Sequence, residues 1–198
     1  MIILGSNLKD APIMSLQTGG EVARITEPLI DPANLGIMAY YAKGPLLDEN
    51  DSPHVIRIAD VRELSDLGLI IDSVDEIALL DDLLKLKELA DLRFSLIGMQ
   101  VTDERRKNIG KVVDFTLDTG SFIVQQLTVR RPLLKSFNET ELVIHRSQII
   151  EINNSSIVVH SEAKSPEPEL SEVVGSYVNP FRKAKHAAPE SIDVRDAQ

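Results

Sequence analysis

The spacing of apolar residues changes twice along this chain. Over residues 13–71, short apolar runs alternate with turns rich in glycine, proline, asparagine and aspartate, which is typical of β-strands. Leucines over residues 79–92 then recur at intervals of three and four, with acids and lysines between them, and this predicts an amphipathic helix. The strand pattern returns over residues 94–159. The pattern therefore predicts a mainly β protein with one helix between two strand-rich parts.

The second strand-rich part repeats the first. Residues 143–161 align with residues 55–73 at a constant offset of 88, without a gap. A repeat of this length indicates one small domain used twice. We therefore predict repeat one over residues 1–75, a linker helix over 76–93 and repeat two over 94–161. We also expect the two repeats to pack with rough two-fold symmetry around the helix.

The remaining residues, 162–198, have a different character. They begin with a proline- and glutamate-rich stretch that has little to bury, so we predict a mostly disordered, flexible tail. Apolar residues return over residues 173–185, and the last part of this stretch is basic. This short motif is the best candidate for a linear recognition element.

Two segments of repeat two carry a resemblance to a known family. Leu96-Ile97-Gly98-Met99-Gln100-Val101, a charged turn and then Ile109-Gly110-Lys111-Val112-Val113-Asp114-Phe115 resemble the opening of a PRC-barrel domain. The hairpin of residues 149–159 resembles its isoleucine-rich end. The family includes the small β-barrel of the photosynthetic reaction centre H subunit and the C-terminal domain of a ribosome maturation factor. In repeat one, the match requires a first turn about five residues shorter, with Ile13 at the position of Gly98.

The resemblance implies a fold of two tandem, small PRC-like β-barrels joined by the amphipathic helix. The family shares no catalytic residues, and its members act as docking or assembly modules. The resemblance therefore implies binding and leaves the ligand open.

Composition excludes some kinds of chemistry and makes some partners less favourable. Cysteine is absent, which removes disulfides, thiol catalysis and cysteine-ligated metals. The net charge of −10 makes broad, counterion-driven binding of nucleic acid an unfavourable interpretation. We find neither a signal-peptide pattern nor an apolar run long enough for a membrane span, so we expect a cytoplasmic protein.

Each repeat carries a basic residue followed by Pro-Leu-Leu after an apolar strand. Two leucines at such a position would anchor a partner, with basic side chains orienting it. Alternatively, the leucines pack against the helix or the other repeat, which is the commoner fate of leucine. The candidate partner-binding residues here are Lys43, Leu46, Leu47, Arg130, Arg131, Leu133, Leu134 and Lys135.

In the tail motif, aromatic residues stand beside basic ones, which suits a partner groove or an anionic surface. The alternative is that the motif folds back and covers a sheet edge of one barrel. Both interpretations stay open. The candidate residues are Tyr177, Phe181, Arg182 and Lys183.

Few residues suggest chemistry. The histidines, at positions 54, 145, 160 and 186, have no metal-ligand spacing, and no nucleophile elbow or phosphate loop occurs. His145 and Ser147 lie two apart without a third group to complete a triad. We therefore expect neither enzymatic activity nor a cofactor or metal.

These observations favour a non-enzymatic adaptor or assembly module that binds another protein. One alternative is a ribosome- or RNA-associated factor that touches a ribosomal protein or phosphates, for which the basic run Arg105-Arg106-Lys107 is the candidate contact. Another is attachment to a membrane surface through the tail.

Overall fold

The chain is mainly β, as the apolar pattern predicts. The computed structural model describes residues 1–47, 52–131, 141–153 and 155–160. Within these residues the one α-helix, α1, spans Leu84–Asp91. The strands are β1 (Ile2–Leu4), β2 (Pro12–Ser15), β3 (Gly20–Asp31), β4 (Gly36–Lys43), β5 (His54–Arg57), β6 (Glu63–Ser65), β7 (Gly68–Ile71), β8 (Ile77–Leu79), β9 (Gln100–Asp103), β10 (Asn108–Asp118), β11 (Ile123–Arg130), β12 (Glu141–His145), β13 (Ile149–Ile152) and β14 (Ser156–Val159).

All of these strands belong to one sheet. Its hydrogen-bonded path runs β13-β14-β9-β10-β11-β4-β3-β2-β7-β6. Strand β1 adds to β10, β12 to β11, β5 to β4, and β8 to β5. The path has two ends, so the sheet is open, and it crosses from repeat two into repeat one between β11 and β4.

The two repeats have the same pairing pattern. In repeat one β2 pairs in parallel with β7, with Ile13 opposite Leu69, and in repeat two β9 pairs in parallel with β14, with Val101 opposite Ile157. Both positions differ by 88. The long hairpins β3–β4 and β10–β11 correspond at an offset of 87, because Arg24 faces Lys43 where Lys111 faces Arg130.

This register corrects the sequence alignment at the start of each repeat. The equivalent of Ile13 is Val101, whereas the resemblance had placed it at Gly98. Met14 pairs with Glu21 and Thr102 with Asn108, so the first turn of repeat one is one residue longer and not five shorter.

The true equivalent of Gly98 is Asp10, and both adopt a left-handed backbone, with φ of 86° and 61°. The amide of Asp10 donates to Ile25 O at 3.0 Å, and that of Gly98 donates to Val112 O at 2.8 Å. Glycine and aspartate both tolerate this conformation. Their different side chains concealed the equivalence.

The repeats meet where the two long hairpins turn. Gly36 of β4 lies opposite Ile123 of β11 in antiparallel register. The amide of Ile37 donates to Phe122 O at 2.8 Å, and the amide of Val124 donates to Leu35 O at 3.0 Å. The donors Ile37 and Val124 are equivalent residues of the two repeats, and so are the acceptors Leu35 and Phe122. Each bond is therefore the two-fold counterpart of the other. An approximate two-fold axis therefore passes through this pair, and not through the helix.

The segment that leads into each repeat packs against the other repeat. Strand β1 pairs with β10, and the 3₁₀ turn Gly5–Leu8 that follows β1 also contacts β10. Helix α1, which precedes repeat two, packs against β3 of repeat one. The two leading segments are thus exchanged across the two-fold axis.

The predicted extent of the helix, residues 76–93, is wrong. Residues 77–79 form β8, which pairs with β5, and Leu80–Asp82 form a 3₁₀ turn. Leu83 interrupts the helical backbone with φ −115° and ψ 77°, so α1 begins only at Leu84. A leucine spacing of three and four residues fits this succession as well as it fits a continuous helix.

The leucines of this region cover repeat one. Leu80 and Leu86 are buried in a small cluster with Leu29, Ala39 and Val55, all from β3, β4 and β5. The separate main core draws buried side chains from both repeats, so the repeats share one interior.

Gly68 tests the parallel pairing that closes repeat one. Its φ is 109°, and an added Cβ would lie 2.1 Å from the carbonyl oxygen of Pro12. We expect Gly68→Ala to lower the free energy of unfolding by about 2–4 kcal/mol, since it adds both backbone strain and a steric clash. Chemical denaturation measures this. Gly20→Ala is the control, because its Cβ would meet nothing within 4 Å; equal losses in both variants would contradict the pairing.

Candidate functional site

In the Pro-Leu-Leu segment of repeat one, one leucine is exposed and the other packs against the core. Lys43 ends β4 with an exposed side chain, and Leu46 is 61% exposed. Leu47 is half-buried and packs against the main core. Leu47 therefore packs inside the protein, as the second interpretation of the Pro-Leu-Leu segment expects. The exposed Leu46 remains accessible to a partner.

The corresponding segment of repeat two is described only at its start. Arg130 ends β11, with its Nη2 3.4 Å from Oε1 of Glu141, and Arg131 is half-buried. Lys43 and Arg130 are equivalent residues at the ends of β4 and β11. The remaining candidates lie outside the described residues: Leu133, Leu134, Lys135, Tyr177, Phe181, Arg182 and Lys183.

A cavity that sequence reasoning missed lies between the repeats. Its volume is about 680 Å³, and it opens to solvent. Repeat one contributes the 3₁₀ turn Gly5–Leu8 and parts of β3 and β4 to its lining, and residues 93–97 and part of β10 complete it. We call this cavity the inter-repeat groove.

The lining of the groove reflects the two-fold relation. Leu8 and Leu96 are equivalent, since Leu8 O accepts from Ala11 N where Leu96 O accepts from Met99 N. Pro28 pairs with Tyr40 where Phe115 pairs with Leu127. The equivalent residues Pro28 and Phe115 both line the groove, as do Leu8 and Leu96. The groove therefore exists only where the two repeats meet.

The leading segment of repeat one is fastened to β10 inside the groove. The amide and hydroxyl of Ser6 donate to the Asp114 carboxylate at 3.2 and 2.5 Å. Gly5 lies against the ring of Phe115, and a Cβ there would come within 2.4 Å of a ring carbon. Glycine at this position thus allows the segment to close over Phe115.

Accessible apolar surface remains in the groove. Ile97 is 48% exposed, and Phe94 and Val113 are half-buried. The side chains of Lys9, Glu27 and Arg93 are exposed around it. This combination of an apolar floor and a charged rim suits an amphipathic ligand or protein segment.

Two tyrosines on β4 contribute to the groove. Burial raises the pKa of Tyr41, and the nearby carboxylate of Glu27 raises it further. The pKa of Tyr40 is raised by burial alone. Among the described residues, none forms a hydrogen bond with the Tyr40 hydroxyl.

Within residues 1–47, 52–131, 141–153 and 155–160, no three carboxylate or histidine side chains converge to hold a metal ion. His145 instead has a local role: its Nδ1 accepts the amide of Ser147 at 3.2 Å, and Gln148 Oε1 accepts the amide of His145 at 2.8 Å. These bonds cap the 3₁₀ turn Arg146–Gln148.

The basic run Arg105-Arg106-Lys107 forms the tip of the β9–β10 turn. Asp103 Oδ1 accepts the amides of Arg105 and Lys107 at 2.9 and 2.8 Å, and Arg106 has a positive φ of 60°. All three basic side chains are exposed. The turn therefore presents them to solvent at one end of repeat two.

Comparisons with known proteins add no relative. No protein-family model matches the chain, and no curated protein matches it. In the part of the chain that the structure describes, none of the helical segments has the length and apolar character needed to cross a bilayer.

The pairing of Tyr41 with Glu27 can be tested by titration. We expect Glu27→Gln to lower the pKa of Tyr41, because a negative charge that disfavours the phenolate is removed, while burial still holds the pKa above its ordinary value. Phenolate absorbance in a Tyr177→Phe background reports Tyr41 first, since burial holds Tyr40 higher. Glu21→Gln, on the same strand, is the control. An unchanged titration in Glu27→Gln would contradict the geometry.

Proposed function

We propose that the protein is a tandem pair of PRC-barrel-type repeats that binds another protein through the inter-repeat groove. It acts as a non-enzymatic adaptor or assembly module. The observation that carries this proposal is the apolar surface of the exposed Ile97 and the half-buried Phe94 and Val113 in a cavity lined by both repeats.

The position of the groove supports binding by the pair of repeats. Each repeat supplies part of the lining, so neither repeat alone would enclose a partner segment. Apolar anchors surrounded by a polar rim are the usual source of binding energy at protein interfaces. A volume of about 680 Å³ accommodates several side chains of a partner.

The assignment to PRC-barrel-type repeats has two supports. One is the resemblance of residues 96–115 and 149–159 to the opening and end of that family. The other, which supports the tandem repeat and not the family, is the shared register, in which β2 pairs in parallel with β7 and β9 with β14. Both concern the fold, whereas the binding function is supported by the groove.

Charge would orient the partner. Repeat one, residues 1–75, contains 12 acidic and 5 basic residues, whereas repeat two, residues 94–161, contains 7 acidic and 8 basic residues. The groove is therefore lined by repeats of different net charge. Such a gradient favours one orientation of an asymmetric partner over its reverse.

Site-specific crosslinking in the native host tests the proposal. A photoreactive amino acid at Lys9, on the rim, should yield one discrete protein adduct, and the same group at Leu67, 65% exposed and remote from the groove lining, should not. The captured protein, once purified, should bind the chain at least tenfold more weakly when Ile97→Glu places a charge on the floor. Equal capture at both positions, or unchanged affinity in Ile97→Glu, would refute binding in the groove.

A ribosome-associated function is the second candidate, favoured by the exposed basic tip. If Arg105 and Arg106 contact phosphates, the chain should co-sediment with ribosomal subunits at moderate salt. Arg105→Glu with Arg106→Glu should abolish this association, since each phosphate contact contributes to its salt dependence. Arg62→Glu, in repeat one, is the control. Sedimentation that is independent of salt and of the tip would count against this function.

A further inference from the structure

One sheet edge is covered in repeat one and open in repeat two. Strand β8 pairs with β5 on the side away from β4, with Val55 opposite Ala78. Strand β12 is the equivalent of β5, because Tyr41 faces Val55 where Thr128 faces Val143. Within the described residues, β12 pairs only with β11. An edge strand without a neighbour is a template for pairing with another strand.

The side chains beside this edge favour a strand over a helix as its cover. In repeat one, Leu29 and Ala39 face each other under the leucines before and within α1. At the equivalent place in repeat two, Thr116 faces Gln126. Val143 remains apolar and is 56% exposed, whereas its counterpart in β5 is fully buried. An added strand would shield Val143 without covering the polar face.

The backbone groups at the open edge belong to Glu141, Val143 and His145. In repeat one, Pro53 O accepts an amide from the 3₁₀ turn that follows β8, at 2.9 Å, so the Pro53 carbonyl points away from β4. Glu141 is the equivalent of Pro53. Since backbone groups alternate in direction along a strand, those of Val143 and His145 point the same way. The His145 amide donates to Gln148 Oε1 at 2.8 Å, which leaves the amides of Glu141 and Val143 as donors of the described edge.

We propose that this edge pairs in antiparallel register with β12 of a second copy of the chain, with Val143 opposite Val143. In this register the strand is complementary to itself, as a two-fold interface requires. The exposed Glu141 of each copy faces the exposed His145 of the other, and the buried Leu142 faces Ile144. The amide of Val143 donates to Val143 O across the axis, and that of Glu141 donates to His145 O. This proposal is independent of the groove and of its partner.

Charge and hydrogen bonding favour this register. Glu141 Oε1 lies 3.4 Å from Nη2 of Arg130, the residue opposite it on β11. In the paired copies, the carboxylate lies between Arg130 and His145 of the second copy. His145 Nδ1 accepts the amide of Ser147 at 3.2 Å, so the neutral ring carries its proton on Nε2 and donates it to Glu141. A slip by two residues would place Glu141 opposite Val143 and lose this cross-strand contact.

Sedimentation of the full chain from about 1 µM to about 1 mM tests the association. Pairing over a strand of five residues makes a small interface, so we expect a reversible, concentration-dependent dimer. Val143→Lys should weaken it about tenfold or more, because two lysines would face each other across the axis. Leu67→Lys, at a leucine of repeat one that is 65% exposed, is the control and should dimerise like the unaltered chain. Denaturation curves establish that both variants fold. A monomer throughout, or a dimer that Val143→Lys does not weaken, would overturn the proposal.

Cysteine crosslinking tests the register. The chain has no cysteine, so a single introduced thiol forms a disulfide only with a second chain. In an oxidised mixture of Glu141→Cys and isotope-labelled His145→Cys chains, the mixed dimer should exceed either self-linked dimer, because the register brings these positions together. Statistical proportions of the three dimers would refute the register. Slow hydrogen exchange at the Val143 amide of a monomeric chain would show that another part of the same chain covers the edge, and would also refute the proposal.

Discussion

The reciprocal backbone hydrogen bonds of Ile37 and Val124 are the constraint on which the rest of the structure depends. They join the two long hairpins at their turns and make one sheet out of two repeats. Backbone pairing of this kind fixes both distance and direction, because N–H and C=O groups must align. The long hairpins joined in this way also contribute residues of β3, β4 and β10 to the lining of the groove.

Duplication has preserved the backbone more strictly than the surface. Register, turn conformation and the buried leucines Leu8 and Leu96 correspond between the repeats. Net charge differs between the repeats, and within the described residues neither the helix over repeat one nor the strand β8 that pairs with β5 has a counterpart in repeat two. A two-fold frame with different surfaces can present two distinct contacts to its surroundings.

Sequence patterns predicted the strands well, because alternation reports directly which face of a strand is buried. The repeat was evident over residues 55–73 and 143–161, where equivalent positions share apolar side chains. It was misaligned upstream, where Asp10 and Gly98 share a backbone conformation but no side-chain chemistry. The predicted helix was too long because β8, the 3₁₀ turn and α1 follow one another with leucines at a spacing that also fits one continuous helix. No short stretch of sequence could indicate the groove, because the residues that line it fall into two sets, 5–41 and 90–115, that are distant in the chain.

The exchanged leading segment has a consequence for synthesis. Strand β1 finds its partners on β10, where Ile2 faces Asp118 and Leu4 faces Thr116. During translation these first residues leave the ribosome long before their partner strand exists. Contacts so distant in sequence slow folding, and they make completion of one half depend on production of the other. The nascent chain therefore cannot complete the pairing of β1 until residues 116–118 of repeat two have emerged.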